Sequence, residues 1–209
     1  MTDLLENIFG TLFRPASTFR RMLEERTSVI TAAIIVLIAC ICSGAGSILT
    51  QSVFMSMFAE FPGFEPATAP SFEEMMFSPT ASMTLSVVGG FISWVVITGI
   101  LHVVAKILGG KGAFTEMLVL MGFAMLPNIF QAPIGLIAIL SGGLTGAFIS
   151  MGLVGILAIW VLILDVLAIR EAHKFSTGRA IATLVLPFVV LMVLVFILII
   201  VGIFLISML

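Results

Sequence analysis

Five long runs of apolar residues dominate the pattern of the chain, and polar residues collect between them. Each run is near or above the ~20 residues that a helix needs to cross the hydrocarbon core of a bilayer. The pattern predicts an all-α fold: a polytopic membrane helical bundle with five transmembrane helices, forming one domain over residues 28–209. The predicted spans are about 28–50, 80–106, 115–140, 147–169 and 180–208.

Residues 1–27 form an N-terminal segment with a different periodicity. Its apolar side chains recur at helical spacing on one face, at Leu4, Leu5, Ile8, Phe9, Leu12 and Phe13. The run is too short to span a bilayer, so we predict an amphipathic helix at the membrane interface. Pro15 suits the first turn of a second helix. A disordered leader is the alternative that this segment leaves open.

Composition and charge support a membrane protein and give it an orientation. Hydrophobic residues make up 61% of the 209 residues and charged residues only 10%, whereas a soluble domain carries about 25% charged residues. All nine basic residues lie in the N-terminal segment or at every second connection between the predicted spans, which is one side of the membrane. Because loops rich in Lys and Arg stay in the cytoplasm, we predict a cytoplasmic N-terminus and a C-terminus outside.

The predicted outer loop, residues 51–79, is acidic and rich in Phe, Met and Pro, and it contains no Lys or Arg. Side chains of Phe and Met favour an apolar environment. We therefore expect the loop to lie on the outer membrane–water boundary or to cap the bundle. A surface that binds a partner is the alternative, since exposed apolar patches mark interaction sites.

The third predicted span is irregular around Pro127, Asn128, Gln131 and Pro133. Each proline removes a backbone donor and clashes with the preceding turn. In lipid, the freed carbonyl groups need partners or must face protein or water. The span is therefore predicted to be kinked or broken. Kinks are common in helical bundles, but broken helices also build substrate sites in transporters, so both interpretations stay open.

Small residues recur every fourth position in the first two predicted spans and form a stripe on each. The stripes are Ala39, Ser43 and Ser47, and Ser82, Ser86 and Gly90. Small side chains let helix backbones approach closely. We expect the stripes to make contacts within the bundle, and self-association is the alternative.

Ionisable residues near the predicted cytoplasmic boundary form a candidate polar cluster of His102, Lys106, Glu116, Asp165 and Arg170. An ion-pair network that fixes the helix ends is one interpretation. A proton- or ion-coupled site is the other, because intramembrane ionisable residues are often functional. No metal site is predicted, because the two histidines lack paired ligand spacing. No catalytic set, cofactor motif or nucleic-acid-binding patch is recognisable.

Three pieces of the sequence carry a family resemblance. Arg14-Pro15 with Phe19 precedes the first span, GGKGAFTEML (109–118) opens the third, and LAIREAHKFSTGRA (167–180) precedes Pro187. Over about residues 8–205, the chain resembles the Yip1-domain family of integral membrane proteins, especially its short prokaryotic members. The resemblance implies five spans, a cytoplasmic N-terminus and a prokaryotic plasma membrane. The family defines no catalytic residues.

The resemblance also shapes the expected function and partners. Eukaryotic members are associated with Rab-type GTPases, vesicle trafficking and membrane shaping, through proteins with a long cytosolic N-terminal region. We do not expect this short form to bind a Rab-type GTPase. The expected role is non-enzymatic, as a scaffold or accessory to membrane organisation or to another membrane machine. The expected partners are membrane lipids and another membrane protein or a second copy. The alternative is a small transporter, channel or lipid-moving protein that uses the third span and Asp165.

Overall fold

A computed structural model describes residues 2–59 and 78–206 of the chain. All regular structure in these ranges is helical, and the predicted all-α class is confirmed. The central part of the predicted outer loop, residues 60–77, lies outside the described residues. The expectation that this loop lies on the membrane surface therefore stays a prediction.

The helices follow one another with short connections over the described ranges. They are α1 (Thr2–Phe13), α2 (Pro15–Glu24), α3 (Val29–Ala59), α4 (Pro79–Thr84), α5 (Gly90–Ile107), α6 (Phe114–Ala124), α7 (Gln131–Ser141), α8 (Gly143–His173) and α9 (Thr177–Ile206). A π-helical turn, Leu85–Gly89, joins α4 to α5, and a 3₁₀ turn, Leu126–Phe130, joins α6 to α7.

Five helical stretches within the described residues are long and apolar enough to cross a membrane, as predicted. Numbered in chain order as spans one to five, they are Val29–Phe54, Pro79–Ile107, Phe114–Ser141, Gly143–His173 and Thr177–Val201.

Two connections differ from the sequence expectation. Helix α3 continues to Ala59, beyond the predicted end of span one near residue 50. Spans three and four are separated by Gly142 alone, where a turn over residues 141–146 was expected. Gly142 and Gly143 have φ values of +64° and +44°, a left-handed conformation that glycine adopts without steric cost. Gly146 then lies against the carbonyl oxygen of Ala138, where a Cβ would overlap it.

The N-terminal helices form a hairpin that is part of the bundle. The Arg21 side chain hydrogen-bonds to Glu6 and, at 2.8 Å, to Oδ1 of Asn7, which joins α2 to α1. Phe19 and Met22 of α2 are fully buried, and α2 packs against α8. Residues from Thr2 to Phe13 are helical, as the sequence predicts for this segment.

The main core lies where the N-terminal hairpin meets spans one to four and the first turns of span five. Helix α6 is its centre, because every residue from Met117 to Ala124 is buried. The indole Nε1 of Trp94 on span two donates a hydrogen bond of 3.1 Å to the carbonyl oxygen of Leu118. This bond satisfies a buried polar group of each partner and fixes span two against α6.

Trp94→Phe is expected to lower the free energy of unfolding by about 0.5–1.5 kcal/mol, the usual net contribution of a buried hydrogen bond. The Leu118 carbonyl loses its indole partner while most of the aromatic packing remains. Denaturant titration of the purified protein in detergent measures the change. Trp160→Phe is the matched control, because the partly buried Trp160 indole has no hydrogen bond within the described residues. Equal losses in the two variants would contradict the assignment.

Spans one and two meet through small side chains. Oγ of Ser86 donates a hydrogen bond of 2.7 Å to the carbonyl oxygen of Cys40, and Gly90 lies against the Cys40 side chain. Gly44 faces Met83 and Ser86. The small-residue stripe of span two therefore contacts span one within the bundle, at positions adjacent to the expected Ala39 and Ser43.

Span five leaves the bundle along its second half. Every residue from Phe188 to Val201 is exposed, and this stretch contains no Gly, Ala, Ser or Thr. Helices that associate within membranes use small or polar residues at their contacts. The composition therefore suits this half-helix to contact with lipid on all its faces.

Candidate functional site

The two histidines of the chain lie side by side at the cytoplasmic ends predicted for spans two and four. The ring centroids of His102 and His173 are 5.0 Å apart, and the rings are inclined by 44°. His102 lies in the last turns of α5, and His173 is the final residue of α8. His173 is 1% exposed, whereas His102 is partly exposed. The pair joins two spans that are distant in sequence.

Sulfur and aromatic groups surround the histidine pair. Nε2 of His173 is 3.3 Å from Sδ of Met117, which span three contributes. The His173 ring stacks on Phe175 at a centroid distance of 5.7 Å, and the His102 ring meets Phe114 edge-on at 5.6 Å. Three spans and the connection between spans four and five therefore meet at these rings.

A glycine-rich turn, Gly109–Gly112, closes over the pair. A Cβ on Gly110 would overlap Nδ1 of His173, and one on Gly112 would overlap the carbonyl oxygen of Ala172. The backbone N–H of Lys111 is 3.5 Å from the carbonyl oxygen of His173. Glycine is thus required here for close contact with the end of α8.

The five residues of the predicted polar cluster do not form one network. Lys106 and Glu116, both exposed, lie near enough to His173 to act on it electrostatically. Oε2 of Glu116 accepts a hydrogen bond of 2.9 Å from the N–H of Ala113 and so caps the start of α6. Arg170 instead bonds to Glu171, with Nη2 and Oε1 2.8 Å apart. Whether these residues have a functional role stays a prediction.

Asp165 lies in span four, eight residues before His173, so the two are roughly 12 Å apart along the helix axis. It is partly buried, and no hydrogen bond or ion pair to it occurs within the described residues. A carboxylate without a partner at this depth is costly when ionised. The structure therefore places Asp165 apart from the histidine pair.

Sequence reasoning missed His173 and Met117 as site residues. The predicted spans end at about residue 169 and begin again at 180, which leaves His173 in a connection. In the structure α8 continues to His173, and Lys174 follows it in a left-handed conformation with φ 54°. The glycines at 110 and 112 were the available signal, because they mark a close approach of another segment. Nothing in the local pattern distinguishes Met117 from the other methionines.

Ion pairs join α2 to the end of span four. Nε of Arg20 is 3.4 Å from Oε2 of Glu171, and Arg170 bonds to the other oxygen of the same carboxylate. Arg20 is exposed, so the pair contributes little to stability. Its effect is to fix the direction of α2 across the end of α8.

The 3₁₀ turn Leu126–Phe130 breaks span three where the sequence places Pro127 and Asn128. Nε2 of Gln131 donates a hydrogen bond of 3.1 Å to Oδ1 of Asn128, so the two amide side chains partner each other. The turn packs against α3 and α1. Gly46 of span one lies directly on the Gln131 carbonyl group. Neighbouring helices therefore cover the break at Leu126 and Pro127, whereas Phe130 at its end is exposed.

A cavity of about 810 Å³ lies between spans one, two and four, away from the histidine pair. Its lining includes Phe54, Leu85, Phe148 and Met151, together with serine and threonine side chains. Oγ of Ser47 donates to the backbone of its own helix, at 2.9 Å, as do the hydroxyls of Thr50 and Ser150. The Ser86 hydroxyl instead donates to the Cys40 carbonyl oxygen of span one. A cavity of this kind suits apolar chains better than polar solutes.

The five apolar spans define a polytopic helical membrane protein. The chain belongs to the Yip1 domain family, whose sequence model matches residues 9–208. The chain is also 25% identical over 130 residues to an uncharacterized protein of Methanocaldococcus jannaschii. The aligned region covers 62% of this chain and 85% of that protein. No solved structure matches the chain. The family resemblance in the sequence is thus confirmed.

Proposed function

We propose that this protein is a non-enzymatic scaffold or accessory that serves membrane organisation or another membrane machine. It acts through its basic end, which faces the cytoplasm of a prokaryotic cell, with the C-terminus outside the plasma membrane. The observation that supports this most directly is the N-terminal hairpin, which packs on the core through Phe19 and Met22 and still presents an apolar stripe outward.

The stripe consists of Leu5, Phe9 and Phe13, which follow one another at four-residue spacing on α1 and are 55%, 59% and 78% exposed. The opposite side of α1 packs on the core through Leu4 and Ile8, among others. Burial of Phe19 and Met22 holds α2 against the core. A pre-ordered apolar stripe loses little conformational entropy when it docks on a partner helix or inserts into a leaflet.

Exposed cations flank this stripe and the turns between spans. They are Arg14, Arg20, Arg26, Lys106, Lys111, Lys174 and Arg179. Basic residues close to a membrane attract the anionic lipids of the cytoplasmic leaflet and orient the protein. Apolar and cationic groups therefore lie together at one end of the bundle. This combination is expected of a surface that binds lipid headgroups and a second membrane protein.

The hydrogen bond between the two amide side chains at the break in span three favours this proposal over a transport role. Broken helices that bind substrates direct polar backbone and side-chain groups into a cavity. Here Asn128 and Gln131 partner each other, and Leu126 and Pro127 are buried. The break is thus suited to packing α1 and span one closely.

Site-specific photocrosslinking in the native membrane tests the proposed role. A photoreactive amino acid at Phe13 is expected to yield a discrete adduct with one recurrent membrane protein, identified by mass spectrometry. The same probe at Phe188, an exposed residue of span five, is the matched control and should yield lipid adducts alone. The proposal fails if Phe13 also yields only lipid adducts and the purified protein carries a solute flux in liposomes that Asp165→Asn abolishes.

A further inference from the structure

The N-terminal hairpin encloses a groove of about 550 Å³ between α1 and α2. A Cβ on Gly10 of α1 would overlap Oγ1 of Thr18 on α2, and both residues line the groove. The two helices therefore touch within it. Its volume lies in the range of roughly 300–1,000 Å³ that is usual for pockets that bind small ligands. The hairpin thus presents a concave surface at the basic end of the bundle.

One wall of the groove is aromatic. Phe9 and Phe13 lie one turn apart on α1, and both rings line the groove while they are 59% and 78% exposed. Covering exposed apolar surface is favourable. A small inorganic anion would leave the two rings uncovered, whereas the acyl chain of an amphiphile would cover them. The aromatic wall therefore favours a ligand that has an apolar part beside its polar group.

The charged side chains of the groove leave one cation free. Nη1 of Arg21 donates to the carboxylate of Glu6, and Nη2 donates to Oδ1 of Asn7 at 2.8 Å. Arg21 and Glu6 therefore neutralise each other. Arg14 also lines the groove and is exposed, and its guanidinium has no partner among the described residues. Two arginines and one glutamate give the lining a net charge of +1, which complements an anion with a single charge.

The polar groups next to Arg14 suit a phosphate oxyanion. A guanidinium donates paired hydrogen bonds whose geometry matches two phosphate oxygens. No side chain caps the start of α2, so the first backbone N–H groups of this helix are available to the same anion. The hydroxyl of Ser17, which lines the groove, donates to the Arg14 carbonyl oxygen at 3.0 Å and can still accept a hydrogen bond from a hydroxylated headgroup.

We propose that the groove between α1 and α2 is a binding site for one singly anionic phospholipid of the phosphatidylglycerol class, in the cytoplasmic leaflet. Arg14 binds the phosphodiester, and the acyl chains cover Phe9 and Phe13. The inference rests on the proposed lipid-binding surface and deepens it by naming the lipid class and the site. One lipid at a defined site differs from the general attraction of exposed cations to an anionic leaflet, which has no fixed stoichiometry.

Native mass spectrometry of the purified full-length protein in detergent, titrated with dioleoyl phosphatidylglycerol, tests the proposal. We expect the first lipid to bind more tightly than all later ones. Arg14→Gln is expected to weaken this first binding by at least about fivefold, the contribution of one cation close to an anionic lipid. Arg26→Gln is the matched control and is expected to leave it unchanged, because Arg26 is also exposed but does not line the groove.

Further titrations identify the ligand. Dioleoyl phosphatidylcholine, whose headgroup is zwitterionic, is expected to bind less tightly than the anionic lipid, and excess inorganic phosphate is expected not to displace that lipid. Phe9→Ala is expected to weaken lipid binding because it removes part of the aromatic wall. Displacement by phosphate would indicate a site for free anions and overturn the lipid assignment. Equal affinities of Arg14→Gln and Arg26→Gln for the first lipid would overturn the site itself.

The titration and the photocrosslinking experiment can fail separately. The titration uses the purified protein without a partner, so its failure overturns the lipid site and leaves a protein adduct at Phe13 unaffected. A titration that succeeds while Phe13 yields no protein adduct would keep the lipid site and contradict the docking of a second membrane protein.

Discussion

Phe123→Ala is expected to lower the free energy of unfolding by about 2–3 kcal/mol, the largest effect of any single truncation considered for this bundle. Phe123 is 0% exposed at the centre of α6. Lipid tails are as apolar as the core, so little of the cost comes from transferring the ring. Most of it comes from the cavity, at about 24 cal/mol for each Å³ that the neighbours leave unfilled.

Phe188→Ala is the matched control for this prediction. Phe188 lies on span five and is 67% exposed, so its truncation leaves no internal cavity. Denaturant titration of both variants in the same detergent measures the difference. If both variants lose the same stability, α6 is not the packed centre of the bundle.

Gly46→Ala is expected to destabilise the protein by about 1–3 kcal/mol, the usual cost of forcing an extra methyl group into a packed core. Gly46 faces the Gln131 carbonyl group, and an added Cβ would overlap backbone atoms that cannot rotate away. Spans one and three would have to separate where the 3₁₀ turn ends. The thermal melting temperature in detergent is therefore expected to fall.

Gly152→Ala is the control, because no atom lies within 4 Å of the Cβ that it would add. Both substitutions add one methyl group within a membrane-spanning helix, and alanine favours helix formation over glycine. Gly152→Ala is therefore expected to be neutral or slightly stabilising. A Gly46→Ala protein that melts at or above the temperature of the Gly152→Ala protein would contradict the close packing of spans one and three.

The sequence predicted the number and order of the spans because length and apolar composition determine which helices can cross a bilayer. It predicted the turn between spans three and four less well. A cluster of Gly, Ser and Thr at residues 141–146 indicates a turn, but not that α8 begins at Gly143. That boundary depends on the positive φ values of two glycines, which local propensity does not specify.

The histidine pair lay beyond sequence reasoning for a different reason. Helical spacing relates residues three or four positions apart, such as His102 and Lys106. It carries no information on the pairing of His102 with His173, which depends on how spans two and four pack around α6. The same limit explains why Asp165 and Arg170 were grouped with His102, although Arg170 bonds to Glu171.

Membrane-impermeant maleimide labelling in intact cells tests the central claim most directly, namely that the basic end with the N-terminal hairpin faces the cytoplasm. Lys111→Cys and Thr145→Cys, each in the protein with Cys40→Ala and Cys42→Ala, place single thiols at exposed positions near opposite ends of span three. Lys111 lies in the turn before span three, and Thr145 lies in the first turn of α8. We predict labelling of Thr145→Cys in intact cells and labelling of Lys111→Cys only after permeabilisation. The reverse pattern would contradict the orientation and, with it, the proposed cytoplasmic docking face.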